Sequence, residues 1–111
     1  MSVAPQRGEI VRVSFNPQRG SEQAGTRPAL VVSNSVYNAR TGMMLCCPVT
    51  ASVKGYSTEV ALPDDLQTHG VVLAVQIRAL DWRVRSVEVI EHVPDKVLEQ
   101  VLDVLIALME S

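Results

Sequence analysis

The stretch of sequence that decides the fold is residues 10–33, IVRVSFNPQRGSEQAGTRPALVVS. In residues 10–15 apolar side chains alternate with polar ones, a period of two that is typical of a half-buried strand. Residues 16–26 are polar and contain one proline and two glycines, which predicts a loop, and the apolar run 29–33 predicts a second strand. The sequence therefore predicts two strands joined by a loop of roughly ten residues, a length that is often functional in a small domain.

Short strands and one long helix are predicted for the rest of the chain. Residues 94–109 carry apolar side chains at helical spacing, and Pro94 suits the first position of that helix. The apolar face is wider than one packed face needs, so the helix is either deeply buried or, as we favour, part of a subunit interface. Residues 35–40 predict one helical turn capped by Ser35. With further strands predicted at residues 43–48, 59–62, 71–77 and 86–91, the chain is expected to be mainly β with a C-terminal helix, its sheet curled into a small barrel.

The composition indicates one globular domain over residues 1–111, of which 47% are hydrophobic. No apolar run approaches the roughly 20 residues of a membrane span, and the first residues lack the features of a signal peptide, so we expect a cytoplasmic location and no membrane partner. The net charge of −2 is unevenly distributed, with nine basic and six acidic residues through Arg85 and one lysine and six acidic residues after it. Such a distribution can place a basic and an acidic face on one small domain.

The two cysteines and two histidines show no metal-ligand spacing. Cys46 and Cys47 are adjacent, and because neighbouring cysteines rarely form a relaxed disulfide, we expect two buried thiols on opposite faces of a strand. His69 and His92 each stand alone in the sequence. The sequence therefore predicts a protein without a bound metal or cofactor.

Arg27 is the strongest candidate for chemistry because Pro28 follows it. Proline confines the preceding residue to extended geometry, which holds Arg27 at the start of a strand. A guanidinium presents a planar fork of donors that suits phosphate and stays charged at any relevant pH. From the residues alone, Arg27 is either a phosphate ligand or the partner of Glu22 in a salt bridge that orders the loop.

Two further polar groups lie at predicted strand ends. Thr50 and Lys54 follow the predicted strand 43–48. They suit either a ligand site or a plainer role, in which Thr50 caps a turn and Lys54 is a solvated cation. Gln76 and Arg78 are two residues apart near the end of the predicted strand 71–77, so they would point to the same face.

Taken in order, these motifs resemble the MazF/PemK family of toxin endoribonucleases. The similarity covers nearly all of residues 7–109 and is carried by Gly20-Ser21-Glu22-Gln23, Arg27-Pro28, Tyr37-Asn38, Pro48-Val49-Thr50, Lys54-Gly55-Tyr56 and Gln76-Ile77-Arg78. It implies a small SH3-like barrel of the MazF/PemK/CcdB type that forms a homodimer and binds single-stranded RNA. It also implies cleavage without metal to a 2′,3′-cyclic phosphate and a 5′-hydroxyl, with neutralisation by a MazE-type antitoxin.

Carried over by position, the resemblance implies that Arg27 and Thr50 are catalytic. The residues expected to bind RNA are Ser21, Gln23, Asn38, Lys54, Gln76 and Arg78. The chain departs from the family at Val75, where an aspartate is common, and a valine cannot accept a proton. Glu22 is therefore the preferred candidate for the general base, unless Arg27 serves both roles. Two alternatives stay open: a CcdB-like gyrase poison, and a non-catalytic barrel that only binds an antitoxin.

Overall fold

Seven antiparallel strands and two α-helices form the part of the chain that the computed structural model describes, residues 3–16 and 25–110. Ser21, Glu22 and Gln23 lie outside the described residues. The strands are β1 (Glu9–Ser14), β2 (Thr26–Val31), β3 (Met43–Thr50), β4 (Glu59–Ala61), β5 (Val71–Leu73), β6 (Arg78–Asp81) and β7 (Glu88–His92). The helices are α1 (Ser35–Thr41) and α2 (Asp95–Met109), and a 3₁₀ turn spans Ala74–Gln76. The predicted class, mainly β with a C-terminal helix, is confirmed.

The strands follow the order β4-β5-β3-β2-β1-β7, and β6 pairs with β3 as well. The long strand β3 is central because it contacts β2, β5 and β6. Its first residues, 43–46, pair with β6, and its last two, Val49 and Thr50, pair with β5. The end of β3 therefore lies between β2 and β5, where polar residues from several strands meet.

Strand alternation divides the interior into two apolar clusters. The helix-side core contains Ile10, Leu30, Cys47, Val72 and Val101, and the buried face of α2 packs into it. The Phe15 core contains Val13, Phe15, Ala29, Cys46 and Trp82. The two cysteines are fully buried thiols and belong to different clusters, which confirms the prediction for them. Neither helix in the described ranges is long and apolar enough to cross a membrane.

The predicted strand 71–77 is wrong beyond Leu73. Strand β5 ends there, residues 74–76 form the 3₁₀ turn, and the chain resumes as β6, which the sequence did not predict. The turn takes up extra chain: Val71 pairs with Thr50 and Arg78 pairs with Cys46, so seven positions from 71 to 78 run beside only four positions of β3, from 50 to 46. The continuous strand that would have placed Gln76 and Arg78 on one face is therefore absent.

The two predicted helix starts are each displaced by one residue. Helix α1 begins at Ser35, but its cap is Asn34, whose side chain accepts a hydrogen bond from the Tyr37 amide at 2.8 Å. Helix α2 begins at Asp95, and Pro94 precedes it with extended backbone geometry.

Both thiols should be unreactive in the folded protein. Burial raises the pKa of Cys46 and of Cys47 to about 12, although the charges of Arg78 and Arg85 act in the opposite direction on Cys46. At about pH 8 both groups are therefore protonated as well as shielded, and a thiol reagent needs the thiolate. We expect Ellman's reagent to label neither thiol rapidly in the native protein and both in guanidinium chloride. Labelling of the native protein at the rate of an unfolded peptide would contradict this burial.

Candidate active site

Arg27 lies at the start of β2, as the sequence predicts. It is half-buried and pairs with Val13 of β1, and the next residue, Pro28, pairs with Arg12. Arg27 continues the row of Ala29 and Val31, whose side chains belong to the Phe15 core. Its backbone is therefore held on one side by the ladder with β1 and on the other by the restriction that Pro28 imposes.

Thr50 ends β3 and lies beyond the last residue of β3 that pairs with β2. The ladder of β2 and β3 ends at the pair Ala29 and Pro48, and Arg27 and Thr50 each lie two residues beyond it in the same direction. By strand alternation, Arg27 follows the row of Ala29 and Thr50 follows the row of Pro48. Thr50 is 7% exposed, and its hydroxyl oxygen accepts a hydrogen bond from the Ser52 amide at 3.1 Å. That contact is the turn cap considered above, and it leaves the hydroxyl hydrogen available for donation.

Two clefts are lined by residues at this strand end. The first, which we call the Arg27 cleft, has a volume of about 680 Å³, and the second, the Thr50 cleft, has a volume of about 560 Å³. Val49 and Ala51 line the Arg27 cleft, whereas Thr50 between them lines the other. Successive residues at the end of β3 thus line different clefts, one of which also contains Arg27.

Lys54 and Gln76, both expected to bind RNA, line the same cleft as Thr50. Tyr56 and Val75 line the same cleft and are 64% and 50% exposed. The carboxylate of Glu59 accepts hydrogen bonds from the Lys54 amide at 3.3 Å and from the Gly55 amide at 2.9 Å, which orders the loop. The cleft therefore presents an amide, a cation, a hydroxyl and an aromatic ring, with an apolar valine among them.

The opposite wall of the Arg27 cleft is organised by Glu91, which the sequence analysis did not single out. Its carboxylate accepts hydrogen bonds from the Gln67 amide at 3.0 Å and from the amide and hydroxyl of Thr68, both at 2.7 Å. Desolvation would raise the pKa of Glu91, but these hydrogen bonds and the charge of His69 together lower it. The ionised carboxylate thus holds the turn that carries His69, and His69 lines the cleft together with Arg12 and Arg27.

Gly70 connects this turn to Thr50. Its φ is +115°, and a Cβ atom there would lie 2.0 Å from the Thr50 carbonyl oxygen. The Gly70 carbonyl accepts a hydrogen bond from the Leu62 amide at 3.0 Å. Only glycine combines this backbone conformation with so close an approach, so Gly70 fixes the turn against the end of β3.

Asn38 and Arg78 do not join the other predicted RNA-binding residues. Asn38 is fully buried, and its side-chain amide donates to the carbonyls of Pro5 at 2.8 Å and Ser33 at 3.1 Å, so it lies too deep to contact RNA. Arg78 lines neither cleft; its guanidinium donates to the Phe15 carbonyl at 3.0 Å and lies 5.7 Å above the Phe15 ring. Both residues stabilise the fold around the site. Within residues 3–16 and 25–110 there is no group of three or more His, Cys, Asp or Glu side chains that could hold a metal ion.

Residues 6–109 match the model of a family described as a PemK-like, MazF-like toxin of type II toxin–antitoxin systems. The chain belongs to this family. Over 82 residues it is 48% identical to the endoribonuclease toxin MazF of Escherichia coli strain K12, a match that covers 74% of this chain and 73% of that one.

Crystal structures of MazF proteins have the same fold as this chain. MazF from Deinococcus radiodurans matches with a TM-score of 0.93 at 47% identity, covering 97% of this chain and 98% of that one. A MazE-MazF structure from the same organism matches with a TM-score of 0.85 at 42% identity, covering 97% of both chains. The small SH3-like barrel expected from the sequence is thereby confirmed.

Replacing Gly70 by alanine should displace the end of β3. Alanine at Gly55 provides a matched control, because Gly55 also has a positive φ, +83°, but a Cβ atom there would meet nothing within 4 Å. We expect Gly55→Ala to cost about 1–2 kcal/mol for the backbone alone. Gly70→Ala should cost about 1–3 kcal/mol more, the usual range for overpacking. Denaturant unfolding of the two variants measures the difference, and equal losses would show that the contact with Thr50 is unimportant.

Proposed function

We propose that this protein is an endoribonuclease toxin that cleaves single-stranded RNA without a metal ion, leaving a 2′,3′-cyclic phosphate and a 5′-hydroxyl. The observation that carries the proposal is that Arg27 and Thr50 each lie two residues beyond the last pair of β2 and β3, and that each lines a cleft. Family membership supports it, since the curated E. coli relative is an endoribonuclease toxin. Family membership also favours an RNase over the CcdB-like gyrase poison.

The reaction needs little covalent chemistry from the protein. In it, the ribose 2′-hydroxyl loses its proton and attacks the adjacent phosphorus, and the P–O5′ bond breaks as the leaving oxygen gains a proton. The Arg27 guanidinium would stabilise the charge that develops on the phosphorane oxygens, and the Thr50 hydroxyl would donate a hydrogen bond to one of them. Preorganised donors of this kind are usually the largest contribution to catalysis.

The two clefts would hold the nucleotides on either side of the reacting phosphate. Lys54 and Gln76 in the Thr50 cleft offer a cation and an amide to RNA, and Arg12 adds a second guanidinium to the Arg27 cleft. Val75 offers only apolar contact where the family commonly has an aspartate, so it should change which base fits there. Ser21 and Gln23, in the segment between β1 and β2, are proposed to contact the RNA as well.

A MazE-type antitoxin and a second copy of this chain are the proposed protein partners. The Deinococcus structure that contains both MazE and MazF supports the first, because this chain matches that structure over 97% of its length. The excess of acidic residues lies in β7 and α2, and residues 1–85 carry nine basic against six acidic residues, a distribution that suits RNA binding despite the negative net charge. We propose that residues 1–111 act as one cytoplasmic endoribonuclease domain.

Arg27→Ala and Thr50→Ala should each abolish most cleavage of a long single-stranded RNA in the presence of EDTA. Loss of one preorganised donor costs on the order of 100- to 1,000-fold in kcat. Thr50→Ser keeps the hydroxyl and should retain most activity, and Arg40→Ala removes an exposed cation at the end of α1 and should have no effect. Undiminished cleavage by Arg27→Ala, or an intact RNA with the wild-type protein, would contradict the proposal. Antitoxin binding without RNA cleavage would instead support the non-catalytic barrel.

The general base is proposed to be Glu22, and the structure adds His69 as a second candidate. His69 lines the Arg27 cleft, and an imidazole can take up a proton at neutral pH. Glu22→Gln should lower kcat by about 100-fold or more if Glu22 is the base, and His69→Gln should then leave kcat unchanged. His92→Gln is the control, because that ring contacts the Val93 carbonyl at 2.9 Å and lines neither cleft. Full activity of both Glu22→Gln and His69→Gln would assign proton transfer to Arg27.

A further inference from the structure

Three successive carbonyl groups at the end of β1 are bound by two arginines from a distant part of the chain. Arg85 donates from Nη1 to the Ser14 carbonyl at 2.6 Å and to the Asn16 carbonyl at 3.0 Å. Arg78 donates from its own Nη1 to the Phe15 carbonyl between them at 3.0 Å. Both arginines are half-buried, and the charges of both act on the Cys46 thiol of β3.

The Ser14 and Asn16 carbonyls lie where β1 has lost its neighbour on one side. The ladder between β1 and β7 ends at the pair Arg12 and Glu88, so the following residues of β1 have no strand beside them there. Arg85 precedes β7 by three positions and supplies the hydrogen bonds that a continued strand would have supplied. Such a pattern rigidifies backbone that would otherwise have been exposed at a sheet edge.

The same residues of β1 hold the start of β2. Ser14 pairs with Thr26, and Val13 pairs with Arg27. Beyond the ladder, the Phe15 amide donates to the Gly25 carbonyl at 2.9 Å, and the Gly25 amide donates to the Asn16 side chain at 3.0 Å. An uninterrupted set of hydrogen bonds therefore runs from Arg85 through the end of β1 to the backbone of Arg27.

We infer that Arg85, assisted by Arg78, is a positioning residue for Arg27. It fixes the backbone from which Arg27 reaches the phosphate and does not itself contact RNA. This inference rests on the proposed function. A displacement of roughly 1 Å in a catalytic group can cost about 100-fold in rate, so the effect of losing Arg85 should be seen in kcat more than in KM or in folding.

Arg83 provides a matched control for Arg85. It also donates to a backbone carbonyl, that of Ala39 at 2.7 Å, and lies 5.4 Å above the Trp82 ring, but it is tied to α1 and not to β1. We expect Arg85→Gln to lower kcat by about 10- to 100-fold with KM changed by less than about twofold. Arg83→Gln should leave kcat unchanged, even if it lowers Tm as much as Arg85→Gln does.

A double variant distinguishes positioning from a general loss of structure. If Arg85 acts through Arg27, then Arg27→Ala combined with Arg85→Gln should have a kcat within about twofold of Arg27→Ala alone. Multiplicative losses, or an Arg85→Gln variant with wild-type kcat, would overturn the inference. If Arg85→Gln fails to fold, Arg85→Lys, which keeps the charge but not the fork of donors, replaces it.

Hydrogen exchange tests the same inference without RNA. The Phe15 amide, which bonds across to Gly25, should exchange faster in Arg85→Gln and at the wild-type rate in Arg83→Gln. An unchanged rate in Arg85→Gln would overturn the inference. A wild-type protein that does not cleave RNA would refute the proposed function instead, while the exchange experiment would still decide whether Arg85 orders the backbone around Arg27.

Discussion

The register of β2 between β1 and β3 is the constraint on which the site depends. Strand β2 pairs with β1 over residues 26–30 and with β3 over residues 29–31, so its position is fixed on both sides. A slip of one residue would send every side chain of β2 to the opposite face. Ala29 would leave the Phe15 core and Leu30 would leave the helix-side core. Because residues 29–31 of β2 are buried on both faces, the two apolar clusters enforce the register that places Arg27 and Thr50 just beyond the last pair of β2 and β3.

The turns around the site are attached to the ends of β1 and β3. Glu91 holds one turn by three hydrogen bonds, and Gly70 in the same turn lies against the Thr50 carbonyl, so the walls of both clefts are fixed to the end of β3. On the other side, Arg85 binds the end of β1. Backbone pairing and buried packing therefore hold the candidate residues Arg27 and Thr50 in place.

Local signals in the sequence predicted much of this arrangement. The alternation in residues 10–15 gave β1 to within one residue, because that signal depends only on neighbouring residues, whereas the apolar run 29–33 placed the start of β2 three residues too late. The apolar run 71–77 concealed a 3₁₀ turn, since a short turn and a strand can have the same apolar composition. The contacts of Glu91 and Arg85 join residues far apart in the chain, and no local pattern reveals such partners. Asn38 was misassigned for the same reason: its burial depends on Pro5 and Trp82.

The central claim is that Arg27 and Thr50, although they open onto different clefts, act on one phosphate. A double-mutant cycle in kcat between Arg27→Ala and Thr50→Ala, measured under single-turnover conditions, tests it most directly. Residues that share a partner show coupling of about 0.5–3 kcal/mol, whereas independent residues add to within about 0.5 kcal/mol. The account predicts that the double variant loses less activity than the product of the two single losses. Strict additivity would contradict it and place the two residues at separate sites.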